Sequence, residues 1–311
     1  MRVFLGFDGG GTKTECAALD AAAYVLATGK SGPSNPTRIG FDSAAKAVED
    51  AADMALGEAG AQRSDVAAVC AGLAGTGQPE NRERMRALLS GAFPGAAIQI
   101  LMDLELPLAA MNEGPAIVLI AGTGSAAIGR SANGSIARAG GFGRDVSDEG
   151  SAYDVGRVAV EAAVQEHAGT GKDSSLGRQI LRQLGCGNWN EVQERIAADR
   201  DAVYPRVFPV VAAAADAGDE SARALLAAAA EKLAALVRRL AEDLGLGAFP
   251  FHLARTGGMI GRSAHFDSAL AASLEKAVPH AHVVSIAVSP AEMAARLALQ
   301  SASAKHNQRA Q

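Results

Sequence analysis

The stretch Phe7-Asp8-Gly9-Gly10-Gly11-Thr12-Lys13-Thr14 decides how the beginning of this chain folds. An apolar run, residues 3–7, leads into it, and an alternating run, residues 15–19, follows it. This order predicts a strand, a tight turn and a second strand. Glycine lets a backbone approach a ligand closely, and a concavity of backbone N–H groups suits phosphate. The segment therefore predicts either a phosphate-binding hairpin or an ordinary glycine hairpin.

The spacing of the glycines separates this segment from two familiar phosphate loops. It lacks the G-x-x-x-x-G-K-[ST] spacing, and no helix pattern follows it, as a dinucleotide-binding fingerprint requires. Asp8 stands where the first strand ends, so its carboxylate could hold Mg²⁺, a hard cation that takes oxygen ligands. The alternative is a turn aspartate that bonds its own backbone.

Composition limits the class of protein. The chain has 311 residues, which suggests about two domains, and 49% of them are hydrophobic, which predicts packed cores. The net charge is −5 and the basic residues are scattered, so we expect no nucleic-acid partner. The three cysteines form no C-x-x-C pair, which argues against a metal site or a disulfide framework. Because no signal-peptide pattern or membrane-length apolar run occurs, we expect a cytoplasmic protein without a membrane partner.

A second strand–turn–strand unit lies about one domain length further along the chain. Residues 116–120 are apolar, Gly122-Thr123-Gly124-Ser125 is a glycine–threonine turn, and residues 126–129 return as a strand. This repetition suggests two related lobes, of which the first alternates strands and helices and the second is mostly helical. We place the boundary near Gly114-Pro115, which gives domains 1–114 and 115–311. A last helix near 290–303 could pack back on the N-terminal lobe.

Four short motifs together resemble one known superfamily. Asp8-Gly9-Gly10-Gly11-Thr12 and Gly122-Thr123-Gly124-Ser125 look like the two phosphate motifs of the sugar kinase, Hsp70 and actin superfamily. Thr256-Gly257-Gly258-Met259 looks like its adenosine motif. Gly140-Gly141-Phe142-Gly143, followed by Ser147-Asp148-Glu149-Gly150-Ser151, resembles the branch that holds the N-acetylglucosamine and glucosamine kinases, with the BadF/BcrA-type ATPases as neighbours. Each motif is weak alone, but their order over residues 6–292 makes the resemblance specific.

The resemblance implies both a fold and an activity. The implied fold is α/β: a two-lobed, actin-like ATPase of the duplicated ribonuclease H-like type, with ATP in the cleft between the lobes. The implied activity is the transfer of phosphate from ATP, with Mg²⁺, to the 6-hydroxyl of N-acetylglucosamine or glucosamine. Closure of the lobes would exclude water and so prevent wasteful hydrolysis. The implied partner is a small amino sugar, and homodimers are common in this branch.

Asp103 is the candidate general base. It follows the predicted strand 98–102 and precedes a predicted helix, so we expect it at the edge of the sheet, where active-site groups lie in such folds. The matching family position is the catalytic aspartate that accepts the proton of the sugar 6-hydroxyl. The alternative is that Asp103 caps the helix that begins near Glu105.

The resemblance assigns the other site residues by motif. Asp8 would hold Mg²⁺ through water, and the glycine motifs would contact the nucleotide. The ATP-binding residues are Gly10, Gly11, Thr12, Lys13, Thr123, Gly124, Ser125, Gly257, Gly258 and Met259. The sugar-binding residues are Asn35, Asp103, Gly141, Phe142 and Asp148.

Some of these positions have simpler interpretations. Lys13 could be a solvated strand residue, Asn35 a turn former, and Asp148 a favourable charge near a helix N-terminus. Several relatives carry tryptophan where this chain has Phe142, so the sequence does not separate an acetamide from a free amine as the sugar's 2-substituent.

Two other functions remain open. A BadF-type activator of a dehydratase transfers electrons and needs cysteines that hold an iron–sulfur cluster at a dimer interface. Cys16, Cys70 and Cys186 offer no matching pair. A nucleotide-binding regulator without transfer chemistry would lack the base, whereas Asp103 is present, and no helix-turn-helix pattern precedes the first strand.

Overall fold

The computed structural model describes residues 1–111, 114–286 and 288–309. Within these residues the chain forms two compact units, one of residues 1–111 and 288–309 and one of residues 114–286. These bounds differ from 1–114 and 115–311 in that the last helix clusters with the first unit.

The first unit is built on a mixed sheet whose strand order is β3-β2-β1-β4-β5. The strands β1 and β2 form the hairpin around the first glycine turn, and β4 and β5 run parallel to β1. The strands are β1 (Val3–Gly9), β2 (Thr14–Leu19), β3 (Val25–Ser31), β4 (Val66–Leu73) and β5 (Ala97–Leu101). The helices that follow them in this unit are α1 (Pro36–Ile39), α2 (Phe41–Glu58), α3 (Pro79–Ala92) and α4 (Glu105–Ala109).

The second unit repeats this plan with the strand order β10-β9-β6-β7-β8. Its first strand again pairs antiparallel with the next one along the chain and parallel with a later one. The strands are β6 (Ala116–Ala121), β7 (Ser125–Arg130), β8 (Ile136–Gly140), β9 (Phe251–Thr256) and β10 (Ala281–Val284). The helices are α5 (Ala152–Thr170), α6 (Ser175–Leu184), α7 (Trp189–Val203), α8 (Phe208–Asp216), α9 (Glu220–Asp243) and α10 (Ala264–Ala277).

The expected α/β fold of two mixed five-stranded sheets is confirmed. The apolar sequence of β1 and β4 is explained by burial on both faces, with α2 on one side and α11 (Pro290–Arg309) on the other. The last strand of the second sheet, β10, pairs parallel with β9 from Ala281 to Val284. Within the described residues, no helix is both long and apolar enough to cross a membrane.

Candidate functional site

The first glycine turn is anchored on one side and open on the other. The Gly10 N–H donates to the Lys13 carbonyl (3.0 Å), and the Ser34 N–H donates to the Gly10 carbonyl (3.0 Å). Gly9 is packed, since a Cβ there would lie 2.1 Å from Ser34 Oγ. A Cβ at Gly10 would meet nothing within 4 Å. The turn therefore leaves room for a ligand at Gly10, as a backbone anion site requires.

Two carboxylates influence each other beside this turn. Asp8 is the penultimate residue of β1, and its pKa is raised to about 6, first by burial and then by the negative charges of Asp103 and Glu15. A cation would relieve this repulsion, and oxygen donors suit Mg²⁺. Among the residues described, His, Cys, Asp and Glu form no metal-holding group of three or more.

Asp103 does not serve as the N-cap of α4. Its Oδ1 accepts the N–H of the adjacent Leu104 (3.0 Å), and the cap position, Leu104, makes no side-chain capping bond. The Met102 N–H donates instead to Glu105 Oε2 (2.8 Å), and Arg82 pairs with the other oxygen of this carboxylate, Oε1 (3.1 Å). The N-cap position of α4 is therefore Leu104 rather than Asp103, and the negative charge of Asp103 helps to raise the pKa of Asp8.

Other assigned side chains of the first unit have local partners. Lys13 Nζ lies 3.0 Å from Glu15 Oε1, and Thr12 is exposed within the turn. Asn35 is the N-cap of α1, where its Oδ1 accepts the N–H and the hydroxyl of Thr37 (3.0 and 2.7 Å). Asn35 can therefore offer a ligand its amide hydrogens rather than its carbonyl oxygen.

The second glycine turn is joined to the start of α5. The Gly122 N–H donates to the Gly124 carbonyl (2.9 Å). The first two N–H groups of α5, from Ala152 and Tyr153, donate to the carbonyls of Gly122 and Thr123 (2.9 and 3.2 Å). These helix N–H groups are thereby satisfied by the turn, which holds the turn in place.

Asp148 packs against the second glycine turn. Its backbone is left-handed (φ 78°), and its Oδ1 accepts the Ser125 N–H (3.0 Å). A Cβ at Gly124 would lie 2.8 Å from its carboxylate, so a side chain at residue 124 would have to displace Asp148. Burial raises the pKa of Asp148, while the Ser125 N–H and Arg144 oppose that rise. The N-cap of α5 is Ser151, so Asp148 is not needed for capping.

The neighbouring loop presents an accessible aromatic ring. The Gly141 N–H donates to the Ser125 carbonyl (3.0 Å), which places the loop beside the same turn. Phe142 is 58% exposed, and the guanidinium of Arg138 lies 4.5 Å from its ring centroid. Gly141, Phe142, Asp148 and the second glycine turn are thus brought together within the second unit.

A cavity of about 660 Å³ lies beside the second and third glycine motifs, all within the second unit. Gly257 has φ 109° and is packed on Ala121, whose carbonyl accepts the Met259 N–H (3.0 Å). The Met259 side chain is buried, so of this motif only Gly258 lines the cavity. The remaining lining includes Gly122, Thr123, Pro205, Phe208, Ala212, Asp216 and Arg262.

Sequence patterns did not predict that residues of α8 would line this cavity. Phe208 and Ala212 resemble ordinary core residues of an amphipathic helix, and only their position after folding makes them part of a pocket. The volume and the mixture of apolar walls with a few polar groups are typical of a small-molecule site.

Comparisons with known proteins identify the family of this chain. The sequence model of the BadF/BadG/BcrA/BcrD ATPase family matches residues 5–295. The chain is 29% identical over 265 residues to the N-acetylmuramic acid/N-acetylglucosamine kinase of Clostridium acetobutylicum, covering 84% of this chain and 86% of the relative. It is 26% identical over 317 residues to the N-acetyl-D-glucosamine kinase of Dictyostelium discoideum, covering 96% and 98% of the two chains.

Solved structures show the same fold. A protein of Chromobacterium violaceum, provisionally named an N-acetylglucosamine kinase, superposes with a TM-score of 0.77 at 26% identity over 96% of this chain and 99% of its own. A ROK family glucokinase of Streptomyces griseus, solved with glucose and AMPPNP, superposes with a TM-score of 0.61 at 19% identity, again over 96% and 99%. The glucokinase supports the fold alone.

Proposed function

The chain belongs to the BadF/BadG/BcrA/BcrD ATPase family, and from that premise we propose that it is an ATP-dependent amino-sugar kinase. The proposed reaction places phosphate on the 6-hydroxyl of N-acetylglucosamine or glucosamine. The observation that carries the proposal is the cavity between α8 and the glycine turns of the second unit. Both curated relatives are named as kinases that act on N-acetylglucosamine, which supports this substrate class.

The nucleotide is assigned to the glycine motifs and the cavity. The apolar wall that includes Phe208 and Ala212 suits a purine base, and Gly258 lets the base approach the backbone. Phosphates are assigned to the two glycine–threonine turns, where backbone N–H groups favour anions. These turns are Gly10, Gly11 and Thr12, with Lys13 beside them, and Thr123, Gly124 and Ser125.

Asp103 is proposed to act as the general base. It would accept the proton of the sugar hydroxyl as that oxygen forms its bond to the transferred phosphoryl group. Asp8 is proposed to hold Mg²⁺, which when bound would neutralise charge on the phosphates. Asn35 would donate its amide hydrogens to the sugar, and Asp148 would accept hydrogen bonds from sugar hydroxyls.

The electron-transfer alternative has little support from the cysteines. Cys16, Cys70 and Cys186 are all buried, and burial raises the pKa of Cys70 to about 12. A cluster shared at an interface needs accessible thiolates, which are the form that binds iron.

A coupled ADP-release assay tests the proposal. We would compare N-acetylglucosamine, N-acetylmuramic acid, glucosamine, glucose and no sugar, with magnesium-ATP. We expect turnover with one amino sugar and a loss of roughly 10²–10⁴-fold in Asp103→Asn, the usual contribution of a general base. Asp50→Asn is the control, because Asp50 is an exposed residue of α2 that pairs only with Lys46 on its own helix.

The position of the phosphate in the product and the activity of Asp103→Asn distinguish the possible outcomes of this assay. Phosphorus NMR of the product would show whether the phosphate is on the 6-oxygen. ATP hydrolysis that is independent of sugar would contradict the kinase proposal and favour an ATPase. Full activity in Asp103→Asn would reject Asp103 as the base.

A further inference from the structure

Lys13 is the cation that the sequence motif places at the first glycine turn, but a carboxylate holds it. Its Nζ lies 3.0 Å from Glu15 Oε1, and Lys30 Nζ approaches the same oxygen at 3.1 Å. The hydrogen bond from Lys13 is the main reason why the pKa of Glu15 is lowered. The charge of Lys13 is therefore already shared with a strand neighbour.

Arg38 is the cation that lies against the turn itself. A Cβ built on Gly11 would lie 2.8 Å from Arg38 Nη1, 3.7 Å from its Cδ and 3.8 Å from its Cζ. The end of the arginine side chain thus occupies the space that any side chain at residue 11 would need. Glycine at this position lets the guanidinium rest beside the backbone of the turn.

The backbone around Arg38 is fixed with respect to the turn. Arg38 lies in α1, whose first turn is capped by Asn35, and the Arg38 N–H donates to the Asn35 carbonyl (3.1 Å). One residue before this cap, the Ser34 N–H donates to the carbonyl of Gly10 (3.0 Å). The guanidinium is therefore carried by a segment that is bonded to the glycine turn.

Within the described part of the chain, the guanidinium of Arg38 has no carboxylate partner and no hydrogen bond. A charge in the last turn of a helix can be explained by the helix dipole, but α1 has only four residues, so that effect is small here. The planar fork of an arginine matches phosphate oxygens with two parallel hydrogen bonds.

We propose that Arg38 is a phosphate-binding residue, which contacts the terminal phosphates of a nucleoside triphosphate held by the first glycine turn. In this role it takes the place that the motif assigns to Lys13. The proposal rests on the proposed function for the identity of the nucleotide, but it requires only that a polyphosphate binds at this turn.

Calorimetric binding to the full chain tests Arg38 without depending on catalysis. The ligands are AMPPNP, ADP and AMP, and the variants are Arg38→Ala, Arg38→Gln and Arg38→Lys. We expect Arg38→Ala to weaken AMPPNP binding by about 10- to 100-fold, the usual effect of losing a charge-assisted hydrogen bond, and to leave AMP binding nearly unchanged. Arg38→Lys should lie between wild type and Arg38→Ala, because it keeps the charge but loses the fork.

One variant serves as a comparison and one as a matched control. Lys13→Ala is the comparison, because the motif assigns phosphate binding to Lys13, and the proposal predicts a smaller loss of AMPPNP affinity than in Arg38→Ala. Arg86→Ala removes an exposed arginine that pairs with Glu83 on its own helix, and should bind like wild type. Arg38→Gln keeps most of the side-chain length, so it separates loss of charge from loss of packing if Arg38→Ala folds poorly.

Three results would overturn the proposal. An equal loss for AMP and AMPPNP would indicate a structural role, and an unchanged AMPPNP affinity would remove Arg38 from the site. A larger loss in Lys13→Ala than in Arg38→Ala would return the role to Lys13. If wild type binds AMPPNP but phosphorylates no sugar, the kinase proposal fails while the Arg38 comparison stands; if wild type binds no nucleotide, both fail.

Discussion

At the scale of single residues, the glycines of the motifs are needed for two different physical reasons. Gly9 and Gly257 are glycine because neighbouring atoms occupy the space of a side chain, at Ser34 Oγ and at the Ala121 backbone. Gly10 and Gly258 face open space instead, with nothing within 4 Å of a Cβ. The first pair holds the turns together, and the second pair is where a ligand can approach the backbone.

Gly258→Leu tests the cavity as the nucleoside site. A leucine here has an ordinary backbone conformation available and would project into open space, so the fold should be kept. We expect AMPPNP and adenosine to bind about tenfold or more weakly, which corresponds to about 1.4 kcal/mol or more, because the side chain fills the space of the ligand. Calorimetry measures the affinity, and thermal unfolding checks that the fold is intact.

Gly247→Leu is the matched control for this change. Gly247 is also exposed and also has nothing within 4 Å of a Cβ, but it does not line the cavity. If Gly258→Leu binds AMPPNP as well as Gly247→Leu does, the nucleoside does not lie in this cavity.

At the scale of elements, the start of α5 links the second glycine turn to α9. Asp154 lies three residues after the N-cap Ser151, and its Oδ2 accepts the Gly150 N–H (3.0 Å) and the Lys232 ammonium of α9 (2.8 Å). Its other oxygen, Oδ1, accepts from Arg157 (2.8 Å). One carboxylate therefore fixes the residue before the N-cap of α5 and joins α5 to α9.

The pH dependence of stability follows from Asp154. Burial alone would raise its pKa, but Lys232, the Gly150 N–H and Arg157 together hold the pKa below its usual value. The stabilisation is therefore fully present above the unfolded pKa of about 3.9 and is lost as the pH falls through the lower folded pKa. We expect Asp154→Asn to lower the unfolding free energy by about 2 kcal/mol at pH 7 and at pH 5.

Urea unfolding at several pH values measures this difference. The gap between wild type and Asp154→Asn should shrink as the pH falls below about 4, because the unfolded chain there takes up a proton that the folded carboxylate does not yet bind. Asp50→Asn, which removes an exposed pair, should change the unfolding free energy by less than about 1 kcal/mol at any pH. A gap that widens on acidification would contradict the assigned role of Asp154.

At the scale of the whole molecule, the chain completes its first unit with its last helix. The helix α11 packs on β1 and β4, and alanines line the contact. Gly6 in β1 allows a close approach, since a Cβ there would lie 1.9 Å from the Ala295 nitrogen and 2.2 Å from the Ala291 carbonyl oxygen. The first unit therefore cannot be complete until the C-terminal segment has docked on β1.

Gly6→Ala tests whether the docking of α11 on β1 stabilises the first unit. The added methyl group meets backbone rather than a flexible side chain, so α11 must shift, and we expect a cost of about 3 kcal/mol or more. Thermal unfolding and limited proteolysis of the C-terminal segment measure it. Gly57→Ala, in α2 with nothing within 4 Å of a Cβ, should instead stabilise by about 0.5–1 kcal/mol. If Gly6→Ala is as stable as wild type, the close packing of α11 on β1 does not stabilise the first unit.

Sequence by itself determined the local elements. Their repetition indicated two related lobes, and the resemblance of the glycine motifs to a known superfamily implied the fold class. Glycine turns connect β1 to β2 and β6 to β7. These turns can be predicted from adjacent residues, because turn geometry and strand alternation depend on near neighbours. The ends of β10, in contrast, are set by its pairing with β9, a strand that lies about 30 residues earlier in the chain.

Tertiary structure alone decided which charged side chains lie near each glycine turn and which residues form the walls of the cavity. Lys13 is next to the motif glycines in sequence yet pairs with Glu15, whereas Arg38, far along the chain, lies on Gly11. Phe208 and Asp216 reach the turn at Gly122 only when α8 packs. Such contacts follow from the burial of apolar faces among distant segments, which no local pattern encodes. The sequence therefore specifies the turns and strands, and packing selects the side chains that surround a ligand.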